Sequence, residues 1–122
     1  NALVVANNTF WNARYKATGV RNRSTAGAVV TNNIFAGAPV LALDGPGTLT
    51  TNLRRAETGL KDPRGLDFSL LPASAAIDAG TELASVDPRL PVPLLEYVHP
   101  LAGRERLGVW TPDLGTYEFC GE

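Results

Sequence analysis

Residues 4–10, VVANNTF, return at residues 29–35 as VVTNNIF, identical at five of seven positions and offset by 25 residues. A weaker third copy, LTTNL, occupies residues 49–53. Each copy sets a β-branched run before Asn and an apolar residue after it. A unit this short cannot bury its own apolar face, so its copies must stack on one another. Asn tolerates the left-handed backbone of a tight corner and can bond neighbouring main chain there. The repeat therefore predicts a β-solenoid with Asn7, Asn8, Asn32, Asn33 and Asn52 at equivalent corners. Their amides would stack, with Val5 over Val30 and Phe10 over Phe35 as interior ladders. An antiparallel meander of two similar hairpins is the alternative that the same strings allow.

At 122 residues, with 44% apolar and 19% charged residues, the chain is one domain with enough apolar surface for a core. Its net charge of −1 gives no pull toward nucleic acid or anionic membrane, and neither is expected as a partner. No stretch approaches 18 apolar residues, so none is long enough to span a bilayer as a helix. The charge is uneven: residues 1–61 carry a net +5 and residues 62–122 a net −6. This division separates coils at 1–61 from a capping region of the same domain at 62–122.

The second half has a different texture. Residues 74–80 (Ser-Ala-Ala-Ile-Asp-Ala-Gly) read as one or two helical turns, capped by Ser74 and stopped by Gly80. Pro88, Pro91, Pro93, Pro100 and Pro112 make the following stretch mostly loop. Residues 113–119 read as a short closing strand.

The strings LDFSLLPASAAIDAG, GRERLGVW and DLGTYEF, in that order, resemble the C-terminal end of secreted bacterial right-handed parallel β-helix proteins of the pectate-lyase-like type. Asp67, Phe68, Leu70, Ser74, Ala76, Ile77, Asp78 and Gly80 match a first element. Gly103 and Arg104 resemble a Gly-x-x-Arg element, and Asp113, Gly115, Tyr117 and Glu118 a last one. Ala75 stands where the pattern has Pro. The resemblance implies an all-β chain, a short right-handed parallel β-helix of about three coils with an irregular proline-rich cap. It also implies an extracellular or cell-surface setting, which the N-terminus itself does not reveal.

Catalysis of the kinds such folds support finds little material here. Hydrolysis needs two carboxylates about 5–10 Å apart, and residues 1–53 hold one acid, Asp44, in a Leu-Asp-Gly-Pro-Gly turn. A lyase has bases available in Arg14, Lys16, Arg21 and Arg23, but lacks nearby acids for calcium. His99 lies in a proline-flanked loop, and Cys120 is the single cysteine. No catalytic residue is assigned, and no cofactor or metal is expected. Asp67, Asp78, Asp87, Asp113 and Glu118 read as a calcium cluster or as turn and cap residues. The cap reading is favoured, with Arg104 as a pairing partner that fixes the tail. Trp11, Arg14, Tyr15, Arg21, Arg23, Arg54 and Arg55 suggest a face for acidic polysaccharide, since rings stack on sugars and Arg forks carboxylate. The plainer alternative is a solvated basic surface.

The function expected is a non-catalytic structural or interaction domain. The alternatives are an acidic-polysaccharide-binding module, or a remnant or subunit of a polysaccharide lyase or hydrolase. Leu3, Val5 and Phe10 fall at an open first coil, so a homo-oligomer meeting through that coil is the expected assembly.

Overall fold

The computed structural model describes residues 3–86, 88–89, 95–98, 102–106 and 111–119. The fold is all-β with parallel strands in sheets. One helical turn, α1 (Leu83–Val86), is its only α-helix among these residues. Runs of Val, Thr, Ile and Phe broken by Asn, Gly and Pro give eight short strands: β1 (Leu3–Ala6), β2 (Thr9–Asn12), β3 (Ala17–Arg21), β4 (Ala28–Thr31), β5 (Ile34–Gly37), β6 (Val40–Asp44), β7 (Gly47–Thr50) and β8 (Leu53–Arg55). They form three parallel sheets, β1-β4-β7, β2-β5-β8 and β3-β6, which the chain visits in cyclic order. Val5 pairs with Val30 and Val30 with Leu49, while Phe10 pairs with Phe35 and Phe35 with Arg54. Parallel pairing at these offsets excludes an antiparallel meander.

The corner between the first two sheets is built the same way each time. Asn7, Asn32 and Thr51 take φ of 57°, 58° and 57°, the left-handed turn that ends one strand. The next residue in each case is Asn. Asn33 Oδ1 accepts the Asn8 main-chain N–H at 2.9 Å and the Asn8 Nδ2 at 3.2 Å. Asn52 Oδ1 accepts the same two groups of Asn33, both at 3.0 Å. Asn33 Nδ2 also donates to Val5 O, and Asn52 Nδ2 to Val30 O. The Asn33 and Asn52 amides thus tie their corners to a strand of the preceding coil, while Asn8 Nδ2 also donates to Ala6 O of its own strand.

Two cores share the middle sheet. Phe35, Val30, Val20, Ala28, Val40 and Ala42 form the inner one, with the Phe10 and Phe35 rings stacked at 4.8 Å. Ile34 and Ala36 face the other way, into a second core with Leu70, Ala76 and Leu114. Strand β5 is therefore buried on both faces, which explains its unbroken Ile-Phe-Ala run. The chain beyond residue 59 supplies the second layer. It includes β9 (Leu60–Asp62), a 3-10 turn (Pro63–Gly65) and β10 (Asp67–Leu70), with β9 and β10 antiparallel. A further antiparallel pair joins β11 (Leu95–Val98) to β12 (Ala102–Glu105).

Residues 74–80 differ from the helical expectation. They form successive three-residue turns, with Ile77 N–H donating to Ser74 O and Ala79 N–H to Ala76 O. A helix is prevented because neighbouring main chain takes the same groups: Leu114 N–H donates to Ala76 O, and Gly80 N–H to Pro112 O. Residues 113–119 also fall outside any strand, since side chains rather than a ladder satisfy much of their main chain.

Asn33 is fully buried while Asn8 is exposed, so the two rungs differ in worth. Asn33→Ala is expected to lower unfolding free energy in urea by about 1–3 kcal/mol, because its partners lose their bonds out of reach of water. Asn8→Ala should cost at most about 1 kcal/mol. Equal costs for the two would remove the corner chain as a stabilising element.

Candidate functional site

A groove crosses the corner that follows the middle sheet. Gly37 ends β5 at φ +86°, and a Cβ there would strike the Asn12 carbonyl oxygen. The missing side chain lets Ala38 N–H donate to Asn12 O at 2.8 Å, while Gly37 N–H donates to Ala56 O at 3.1 Å. Small residues at Gly37, Ala38 and Ala56 leave a concave floor. A cleft of about 510 Å³ opens on one side, with Trp11, Glu57, Lys61, Asp62 and Arg64 among its walls. A second, of about 400 Å³, opens on the other, with Lys16, Phe35, Val40, Leu41, Arg54 and Arg55. The two share Gly37, Ala38 and Ala56.

The groove is mainly basic. Lys16, Arg54, Arg55, Lys61 and Arg64 line it, against Glu57 and Asp62. Asp62 is already engaged, since its Oδ1 accepts the Gly65 N–H at 3.1 Å and caps the 3-10 turn. The Arg64 guanidinium lies 5.6 Å from the centre of the Trp11 ring, within cation–π range. Trp11 is half-buried, one edge packed on the second core.

The basic and aromatic residues singled out from sequence do not all gather here. Trp11, Arg54 and Arg55 line the groove. Arg14 and Tyr15 lie in the adjoining loop, which Asn12 pins by donating from Nδ2 to Tyr15 O and accepting the Arg14 N–H. Tyr15 is 81% exposed. Arg21 sits at the far end of β3, paired with Asp44 at 3.2 Å, and Arg23 follows in the next loop. Lys16, named from sequence only as a candidate lyase base, also belongs to the groove, as do Lys61 and Arg64, which were not singled out. No local signal marks Lys61 or Arg64 as groove residues: the turn at Pro63–Gly65 is local, but its placement against Trp11 comes from tertiary packing.

The cap residues form a separate cluster. Asp113 is buried, with Oδ1 accepting the Asp78 N–H at 2.7 Å and Oδ2 accepting the Phe119 N–H. Asp78 itself takes φ 54°. Glu118 Oε2 accepts the Asp113 N–H at 3.0 Å. Its Oε1 meets Arg106 Nη2 at 2.8 Å, both side chains about 95% buried. Arg106 also donates to the Thr116, Gly115 and Asp113 carbonyls. Burial pushes the Glu118 carboxyl above its ordinary pKa, and the Arg106 charge pulls it partly back. Arg106 is a pairing arginine of this cluster. The Gly-x-x-Arg spacing, counted from Gly103, ends on it, whereas the side chain of Arg104 lies outside the described residues. Asp67 Oδ1 accepts the Ser69 main-chain N–H and hydroxyl. Tyr117 is half-buried. Among the described residues no three His, Cys, Asp or Glu side chains group closely enough to hold a metal ion. Asp87, His99 and Cys120 lie outside the described residues.

Comparison with protein-family models, with curated proteins and with solved structures gives no match.

Removing one member of a buried ion pair leaves the other uncompensated. Arg106→Met is expected to destabilise the fold by about 3–5 kcal/mol, measured by thermal or urea unfolding. Adding Glu118→Leu should recover part of that loss. A double variant as unstable as Arg106→Met alone would show that the two side chains do not act as a pair.

Proposed function

We propose that this chain forms the closing coils of a right-handed parallel β-helix and works as a non-catalytic structural or interaction domain. The observation that carries the reading is the cyclic visit to three parallel sheets, in register, with one amide chain through Asn8, Asn33 and Asn52. The carboxylates support the non-catalytic part. Asp44, the one acid of residues 1–53, bonds Arg21. Asp113 and Glu118 serve main-chain N–H groups and Arg106 inside the cap. Incubation with polygalacturonate, alginate and sulfated polysaccharide should release neither reducing ends nor unsaturated sugars. Sustained release, abolished by substituting a groove carboxylate such as Glu57, would overturn the non-catalytic reading.

A second reading has its own observation: the pairing of Trp11 with Arg64 in a groove lined by five bases. A ring beside guanidinium forks is the chemistry that holds an acidic sugar, whose faces stack and whose carboxylate accepts paired N–H bonds. On this reading wild-type affinity for polygalacturonate falls as salt rises. The double variant Lys61→Glu, Arg64→Glu is expected to weaken binding about tenfold or more, a loss of at least about 1.4 kcal/mol. Unchanged affinity in titration calorimetry would remove the groove as the sugar site.

A further inference from the structure

The third coil is open at its end. Val5, Val30 and Leu49 occupy one interior row, yet Val30 is fully buried while Leu49 is 54% exposed. The cause is topological: among the described residues the β3-β6 sheet has no third strand, so the coil of Leu49 lacks one wall. Strand β7 is also an edge, bonded only to β4 among these residues. Ala28 N–H donates to Pro46 O, and Asn32 N–H to Thr50 O. The alternation of a parallel ladder then turns the main-chain groups of Gly47 and Leu49 away from β4. Both residues are exposed. Gly47 has no side chain, so its exposure is that of main chain.

This edge is unguarded. Residues 45–53, Gly-Pro-Gly-Thr-Leu-Thr-Thr-Asn-Leu, carry no charge that would keep another strand away. The other edges differ. Strand β8 carries Arg54 and Arg55, both exposed, and two copies of it would repel. On the first coil, the surface expected from sequence to join two chains, Thr9 N–H already donates to the Thr116 hydroxyl at 3.1 Å. Val5 and Phe10 are half-buried there.

We propose that β7 is the contact between two copies of this chain, paired antiparallel about a two-fold axis through Leu49. Such a pairing is self-complementary, because each strand offers the other the same donors and acceptors. Leu49 exchanges N–H and C=O bonds with its counterpart in the second copy, and Gly47 faces Thr51. The two β1-β4-β7 sheets then join edge to edge. Each Leu49 side chain covers the other, so the interior row runs unbroken through both molecules. Asp44 and Arg54 stand at equal distances along the chain from Leu49, on opposite sides. The axis therefore sets the Asp44 end of each strand beside the Arg54 end of the other, an attractive arrangement. This self-contact goes beyond the functional reading above and does not depend on it.

The test is the mass of the purified chain by sedimentation equilibrium, from micromolar to millimolar concentration. The mass should rise toward two chains and no further, because a two-fold contact closes on itself. Leu49→Lys should associate at least tenfold more weakly with an unchanged melting temperature, since Leu49 is exposed. In a Cys120→Ser background, Leu49→Cys should form a disulfide-linked dimer on mild oxidation. The Cα atoms of a hydrogen-bonded antiparallel pair lie about 5.5 Å apart, within disulfide reach. Leu3→Cys in the same background should not cross-link. Hydrogen exchange at the Leu49 amide should slow as concentration rises. A single-chain mass at millimolar concentration, a dimer that Leu49→Lys leaves intact, or cross-linking through Leu3→Cys in place of Leu49→Cys would each overturn the proposal. Masses that grow past two chains would overturn it as well, because they mark head-to-tail stacking.

Discussion

The corner between the first two sheets is the constraint on which the rest of the molecule depends. A left-handed residue followed by Asn turns the chain in two residues, and the Asn amide then binds a neighbouring coil. This keeps Val5, Val30 and Leu49 in one row and Phe10, Phe35 and Arg54 in the next. The corner is invariant while the loops vary. The offset falls from 25 residues between the first two copies to 19 between the next two, and shorter connections elsewhere in the coil absorb the whole difference. A main-chain bond alone would not hold register against such changes. The buried amide does so because slipping it leaves several polar groups without partners in a site closed to water.

The second dependence is the double burial of β5. The outer face of the middle sheet is as apolar as the inner one, and the second half of the chain covers it. Gly115 makes close contact possible: it takes φ +82°, and a Cβ there would lie 2.7 Å from the Ile34 side chain. Thr9 and Thr116 exchange hydrogen bonds at 3.1 and 3.0 Å beside it. Asn32 grips the same layer, accepting the Thr81 N–H and donating to the Thr81 carbonyl. The corner residue thus turns the coil and anchors the cap.

The coils were legible because their information is periodic. Val, Asn and Phe recur at fixed spacing, and periodicity survives without knowledge of tertiary contacts. The cap was legible only as a set of residue types. Ser74 and Asp113 do satisfy main-chain groups, yet the helical turns and closing strand read there are absent, because distant segments compete for the same N–H and C=O groups. That Arg106 meets Glu118 is a fact of packing, which residue type alone does not announce. The groove lay between these extremes. Trp11, Arg54 and Arg55 fall on the strands that flank it, whereas Arg21 runs to the other end of β3. Arg64 arrives from a turn placed by the second core.

The Thr9–Thr116 exchange spans 107 residues, and its consequence lies in the order of folding. Contacts that distant form late, because the loop they close must first be paid for in chain entropy. The coils are local by comparison and can assemble while the second half is still unstructured. During that interval Ile34, Ala36 and Leu53 stand on an open face beside unpaired strand edges. Docking of residues 111–119 ends the interval by shutting that face from both the corner and the sheet. The closing loop therefore bears on how long that apolar face stays open during folding as well as on the stability of the finished fold.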